Sequence, residues 1–116
     1  MSIKIYHNPK CSKSRATLAL LEEQGVDVEV VKYLETPPSK EELKELINML
    51  GLSARELMRT KEEIYKALGL KDVDDEEKLI DAMVENPKLI ERPIVIKDGK
   101  AAIGRPIENI IDLLEA

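Results

Sequence analysis

Apolar and polar positions alternate in two short stretches near the N-terminus, and between them the apolar positions surround a helix. Residues 3–7, IKIYH, and residues 26–33, VDVEVVKY, alternate as a strand with one buried face does. The segment between them, SRATLALLEEQG, is expected to form a largely buried helix that ends at Gly25. Its apolar residues are Ala16, Leu18, Ala19, Leu20 and Leu21. Strand, helix and strand of this length predict a right-handed parallel unit.

The middle of the chain carries a series of helix signals. Two Ser-x-x-Glu capping boxes, which begin at Ser39 and Ser53, predict a helix through Leu50 and a short helix that contains Arg55 and Arg59. The stretches KEEIYKALGL and DDEEKLIDAMVENP predict two further helices. The inward positions expected in the last of these are Leu79, Ile80, Met83 and Val84.

The C-terminal part predicts a hairpin and a final helix. Asp98-Gly99 lies between two apolar runs, which is a strong short-range hairpin signal. Pro106 is expected to begin the last helix. Its expected inward positions are Ile107, Ile110, Ile111 and Leu114. The order β-α-β, helical insert, β-β-α predicts an α/β, thioredoxin-like fold with one four-stranded mixed sheet flanked by helices.

Length and charge limit the classes of function. A chain of 116 residues is expected to form a single domain, residues 1–116, with the helical insert at about 38–87. The net charge of −5 argues against nucleic acid or an anionic membrane as a partner, so any anion site must be made locally. The N-terminal stretch has no apolar run typical of a signal peptide, and a single cysteine fits a reducing cytoplasm.

The stretch HNPKCSKSR contains the only histidine, His7, and the only cysteine, Cys11. Cys11 is expected at the turn from the first strand into the first helix, where unpaired N–H groups and the helix dipole favour a thiolate. Arg15, one turn further, adds positive charge, and Asn8 can hydrogen-bond the nearby backbone. These residues together indicate a reactive thiol that His7 could tune.

The same residues are open to other interpretations. Cys11 alone could be a small buried apolar residue. One histidine and one cysteine cannot supply the three or four ligands of the usual metal site, so no metal is expected. Tyrosine phosphatases need an arginine six residues after the cysteine, and that position is Thr17. Ser14 stands where the C-x-x-C motif has its second cysteine, so a redox cycle needs an outside thiol.

HNPKCSKSR matches the H-x3-C-x3-R pattern of the glutaredoxin-coupled arsenate reductases, a thioredoxin-fold family that uses glutathione. The stretches YLETPPSKEEL, SARELMRTKE, LIDAMVENPKLIERPIVI and GRPIENI resemble the same family, so the resemblance runs the length of the chain. Two features differ from family members. Ser12-Lys13 stands where the best-characterised members carry small residues such as Gly-Thr, and the chain stops at Ala116, where some members continue with a tail.

The resemblance implies a set of roles. Cys11 would attack arsenate to form a thiol–arsenate adduct, His7 would help to hold its thiolate form, and Ser14 and Arg15 would support it by hydrogen bonding. The oxyanion and the arsenite-level product would be bound by Arg59, Arg92 and Arg105. Pro93 would follow a cis peptide bond in a loop that faces the cysteine. Glutathione, a co-substrate rather than a bound cofactor, would attack the adduct; glutaredoxin would remove glutathione, and arsenite would leave.

These implied roles are physically consistent, because several guanidinium groups would offset the repulsion between a thiolate and a multiply charged oxyanion. Two other functions of the same fold remain open. One is a redox regulator that binds RNA polymerase, although Ser14 removes the disulfide that such a switch uses. The other is a general thiol transferase that reduces glutathione mixed disulfides.

Overall fold

The structure contains a four-stranded sheet with the strand order β2-β1-β3-β4. This computed structural model describes residues 3–104 and 107–115. The strands are β1 (Ile3–Tyr6), β2 (Val28–Val31), β3 (Ile94–Lys97) and β4 (Lys100–Ile103). β1 pairs in parallel with β2 and antiparallel with β3, and β3 pairs antiparallel with β4. The predicted mixed sheet of a thioredoxin-like fold is confirmed.

The helices follow the predicted order. They are α1 (Ser12–Glu23), α2 (Lys40–Leu50), α3 (Ala54–Leu57), α4 (Glu63–Ala67), α5 (Glu76–Glu85) and α6 (Glu108–Glu115). Two short 3-10 turns, Leu70–Asp72 and Pro87–Leu89, come after α4 and α5. Within the described residues, no helix is both long enough and apolar enough to cross a membrane.

The chain forms two compact units. The first, the sheet unit, consists of the described parts of Met1–Thr36 and Arg92–Ala116 and contains the whole sheet with α1 and α6. The second, the helical unit, is Pro37–Glu91 and contains α2 to α5. Its limits are close to those of the predicted helical insert. The assignment of both units to a single domain stays a prediction.

The core of the sheet unit lies between one face of the sheet and two helices. It consists of Ile3, Ile5, Leu21, Val95, Ile110 and Leu113. Ile3 and Ile5 point to this core while Lys4 between them is half-exposed, which is the alternation that predicted the strand. Burial of these aliphatic side chains holds α1 and α6 against the sheet.

The β3–β4 hairpin closes through the predicted Asp98-Gly99 turn. Asp98 has φ 48° and Gly99 has φ 82°. Positive φ at both central residues is the backbone of a type I′ turn, whose twist matches that of the two strands. The expected start of the last helix at Pro106 lies outside the described residues.

Two predictions of burial were wrong. The first concerns α1, where Ala16 and Ala19 are exposed and the buried stripe is Ser14, Thr17 and Leu21. Alanine favours the helix without needing burial, so its presence did not mark the inner face. The second concerns Ile111, which is exposed because Ile110 and Leu113 of α6 occupy the core instead.

In the helical unit, both predicted capping boxes are present. The Ser39 hydroxyl accepts from the Glu42 N–H at 3.2 Å, and the Glu42 carboxylate accepts from the Ser39 N–H at 3.0 Å. Ser53 and Glu56 form the same reciprocal pair at 3.3 and 2.9 Å. Each box satisfies two otherwise unpaired backbone N–H groups and so defines where α2 and α3 begin.

The inward face predicted for α5 is largely confirmed. Leu79, Ile80 and Met83 are buried, and Val84 is half-buried. Asp75 caps the helix through its side chain, which accepts from the Glu77 N–H at 3.0 Å.

The prediction that Arg59 lies in a helix was wrong. α3 ends at Leu57, and Met58 is extended and forms an antiparallel bridge with Ile90. The Arg59 N–H donates to the Leu89 carbonyl at 2.7 Å. Pairing with this distant segment takes the place of a further helical turn, and a local capping signal could not reveal it.

Candidate active site

The turn that carries the thiol begins where β1 ends. The His7 N–H donates to the Val31 carbonyl at 2.8 Å, which extends the pairing with β2 by one residue. Asn8 then fixes the turn twice, because its side-chain oxygen accepts from the Lys10 N–H and its carbonyl accepts from the Cys11 N–H, each at 3.0 Å. The sequence expectation that Asn8 bonds nearby backbone is confirmed.

Cys11 occupies the N-cap position of α1. Its backbone is extended, with φ −94° and ψ 122°, and its carbonyl accepts the first helical hydrogen bond from the Arg15 N–H at 3.0 Å. The residue is buried with 8% of its surface exposed. The Cys11 side chain therefore lies at the N-terminus of a 12-residue helix, where unpaired N–H groups and the helix dipole favour negative charge.

Behind the turn, a buried hydroxyl joins β1 to α1. Ser14 is fully buried, and its Oγ lies 2.7 Å from His7 Nδ1 and accepts from the Asn8 N–H at 3.0 Å. Burial, followed by the positive charges of Lys32 and Arg15, lowers the pKa of His7 below its ordinary value of 6.5. A neutral imidazole acts through its hydrogen bond to Ser14 and not through a positive charge of its own.

Arg15 closes the other side of the turn. Its Nη1 donates to the Pro9 carbonyl at 2.9 Å, and the side chain remains exposed. The guanidinium thus ties the loop before Cys11 to the first turn of α1 and keeps a positive charge beside it.

The Arg92-Pro93 peptide bond is cis, as the resemblance implied. Its loop packs on α1: a Cβ added at Gly104 would lie 2.7 Å from Thr17 Oγ1 and 2.8 Å from Pro93 Cγ, and the Gly104 N–H donates to the Pro93 carbonyl at 2.9 Å. Sequence reasoning missed the contribution of Thr17 and Gly104. The one sequence signal for Gly104 is that it is the first residue of GRPIENI, a stretch that resembles the family.

The three predicted oxyanion-binding arginines have different positions. Arg92 is half-buried in the sheet unit, directly before the cis proline. Arg59 belongs to the helical unit, where its Nη1 lies 2.6 Å from Glu62 Oε1. Arg105 lies outside the described residues. Sequence reasoning did not single out Glu62, although its spacing of three residues from Arg59 suits an ion pair.

The structure thus brings together His7, Asn8, Cys11, Ser14 and Arg15 in one hydrogen-bonded turn. Among residues 3–104 and 107–115, no group of three His, Cys, Asp or Glu side chains is arranged to hold a metal ion. The chemistry that this turn offers is that of one thiol at a helix N-terminus.

Strand order and thiol position define the class: a thioredoxin-like protein with a solitary cysteine at its first helix. The model of the ArsC family matches residues 6–113, and the chain belongs to that family.

Several relatives cover nearly the whole chain. It is 59% identical over 110 residues to an arsenate reductase of Neisseria meningitidis, covering 93% of this chain and 94% of that one. It is 60% identical over 114 residues to the uncharacterized protein YfgD of Escherichia coli, covering 97% and 96%. The solved structure of an arsenate reductase from Vibrio cholerae superimposes with a TM-score of 0.93 at 59% identity, covering 97% of each chain.

Proposed function

We propose that this protein is an arsenate reductase in which Cys11 is the nucleophile and glutathione and glutaredoxin supply the electrons. The observation that supports this most is the position of Cys11 at the N-cap of α1, inside the H-x3-C-x3-R segment of an ArsC-family chain. The names of relatives at 59% identity point to the same substrate. We expect the reaction to take place in the cytoplasm.

The proposed reaction balances with three thiols. The Cys11 thiolate condenses with arsenate, an S–As bond forms, and water leaves. Glutathione condenses with the same arsenic and a second water leaves. A glutaredoxin thiolate then attacks the glutathione sulfur and forms a mixed disulfide with it. The bond between that sulfur and arsenic breaks, and its electron pair reduces arsenic from As(V) to As(III). Hydrolysis of the remaining S–As bond releases arsenite and restores the Cys11 thiol.

The residues around Cys11 fit the first step. Thiolate attack needs an anionic sulfur, which the N-terminus of α1 and the Arg15 guanidinium both favour. The bond between His7 and Ser14 keeps β1 and the first turn of α1 in register, so that the sulfur is held in one place. In this proposal Arg59, Arg92 and Arg105 bind the oxyanion oxygens, and Pro93 shapes the loop beside α1.

The test is a coupled assay. NADPH oxidation is followed with arsenate, glutathione, glutaredoxin and glutathione reductase, for the wild-type chain and for Cys11→Ser. We expect arsenate-dependent oxidation by the wild type and a loss of about 10³-fold or more in the variant, since the nucleophile is gone.

Ser12→Ala serves as the matched control, because it changes an exposed hydroxyl next to Cys11 and leaves the thiol in place. We expect it to keep most of the activity. A wild-type rate equal to that of Cys11→Ser would contradict the proposal. Faster turnover of a glutathionylated peptide than of arsenate would instead identify a thiol transferase.

A further inference from the structure

Arg59 is held by both its backbone and its side chain. Its N–H donates to the Leu89 carbonyl at 2.7 Å, next to the bridge between Met58 and Ile90. Its Nη1 lies 2.6 Å from the Glu62 carboxylate, and the two side chains are only 23% and 17% exposed. A charge-assisted contact this short between half-buried groups fixes the direction of the guanidinium.

The Glu62 carboxylate has Arg59 as its close contact. Glu62 occupies the N-cap position of α4, where an acidic side chain could accept from the first-turn N–H groups, yet it makes no capping hydrogen bond. Its Oε1 contacts Arg59, and Oε2 lies 4.0 Å from the Nζ of Lys88, a side chain that is 71% exposed. The close partner of the carboxylate is therefore Arg59.

This pair has an electrostatic consequence for any anion that Arg59 binds. The Glu62 charge cancels most of the Arg59 charge at a distance, so an incoming oxyanion meets a guanidinium of fixed direction with a reduced positive potential. We propose that Glu62 is a positioning residue that holds Arg59 for oxyanion binding and limits how tightly the oxyanion is retained. This inference rests on the proposed function in that it takes Arg59 to bind the oxyanion.

A limit on oxyanion retention matters because the substrate and the proposed product differ in charge. Arsenate is an anion at neutral pH, whereas arsenous acid is uncharged. Once arsenic is reduced, Arg59 loses its anionic partner and Glu62 is the anion that remains beside it. The carboxylate would then compete effectively for the guanidinium, which favours release of the product over its retention.

The experiment measures binding of inorganic phosphate, an unreactive tetrahedral oxyanion, to the full chain by isothermal titration calorimetry. Glu62→Gln keeps an acceptor oxygen near Arg59 and removes the charge, so we expect phosphate to bind about threefold or more tightly than to the wild type. Glu62→Ala removes the charge and also the positioning bond, and we expect weaker binding than for Glu62→Gln. The arsenate KM should fall in Glu62→Gln without a rise in kcat.

Glu63→Gln is the matched control, since it removes the same charge from the next, exposed residue. We expect its phosphate affinity to stay within about twofold of the wild type. The gain in Glu62→Gln should also disappear in an Arg59→Ala background, because Glu62 acts through Arg59. Equal affinities for Glu62→Gln and Glu63→Gln, a gain that persists without Arg59, or no phosphate binding by the wild type would each overturn the inference.

The outcomes separate this inference from the proposed function. If the phosphate affinities follow the expected order but the wild type does not reduce arsenate, the proposed function fails and the role of Glu62 stands. If arsenate is reduced but the affinities do not follow that order, only the role of Glu62 fails.

Discussion

The buried imidazole of His7 distinguishes this site from one in which a charged histidine stabilises the thiolate. His7 is 5% exposed, its Nδ1 lies 2.7 Å from Ser14 Oγ, and Lys32 and Arg15 add positive charge nearby. Desolvation and these two charges lower its pKa, which keeps the ring neutral at neutral pH. Positive charge that favours a Cys11 thiolate therefore does not come from His7, whereas Arg15 and the helix N-terminus both supply it.

This protonation state predicts a pH dependence of stability. Because the pKa of folded His7 lies below 6.5, the unfolded chain takes up the proton first as the pH falls. The contribution of His7 to the free energy of unfolding should be constant above about pH 7 and should decline as the pH falls through about 6.5 toward the lower, folded pKa. Urea unfolding at several pH values between about 5.5 and 7.5 measures it.

The chain offers a direct control for this effect, since His7 is its only histidine. His7→Asn, which cannot titrate, should show a shallower decline between about pH 7 and 5.5 than the wild type, because the His7 contribution is gone. Ser14→Ala keeps the imidazole and should retain a decline, while losing about 1–3 kcal/mol of stability at every pH from the broken buried hydrogen bond. A wild-type stability that rises as the pH falls through this range would contradict the neutral, buried state of His7.

At the scale of elements, α1 connects the reactive turn to the core. Ser14, Thr17 and Leu21 form its buried stripe, so the helix that presents Cys11 at its N-terminus is fixed by contacts further along. Gly104 lies where this helix meets the cis-proline loop. Its φ is not in the left-handed region, so the lack of space, and not the backbone conformation, requires glycine there.

Gly104→Ala should therefore destabilise the protein by overpacking. The added Cβ would meet Thr17 Oγ1 at 2.7 Å and Pro93 Cγ at 2.8 Å. We expect a loss of about 1–3 kcal/mol in the free energy of unfolding, measured by denaturant titration.

A double-mutant cycle identifies the contact. Thr17→Ala removes the nearest atom and should recover part of the loss in Gly104→Ala, whereas Thr17→Ser keeps the Oγ and should recover less. An additive result with Thr17→Ala would show that the alanine is accommodated elsewhere, against the contact described here.

Local signals predicted local elements well. The capping boxes at Ser39 and Ser53 and the Asp98-Gly99 turn each depend on neighbouring residues, and all three are present. Arg59 could not be placed in this way, because its N–H pairs with the carbonyl of Leu89, thirty positions along the chain. The exposure of Ile111 likewise depends on which face of α6 meets the sheet. The apolar periodicity of the sequence fits burial of Ile110 and of Ile111 equally well.

At the scale of the whole molecule, the order of elements predicted the sheet, and composition predicted that any anion site must be local. A chain with a net charge of −5 has no general attraction for an oxyanion. In the sheet unit, the N-terminus of α1 and Arg15 are groups that oppose this charge around Cys11. The bond between His7 and Ser14, seven residues apart, could not be read from the sequence, since it depends on how β1 and α1 meet.

The most direct test of Cys11 as a nucleophile is its rate of alkylation by iodoacetamide as a function of pH, since only the thiolate reacts. A peptide of residues 7–15, which has the same local sequence without the fold, is the control. The rate of the folded protein is predicted to rise with a midpoint well below that of the peptide, which should lie near the free-cysteine value of about 8.5. A folded-protein midpoint equal to or above that of the peptide would contradict a thiolate stabilised by the N-terminus of α1.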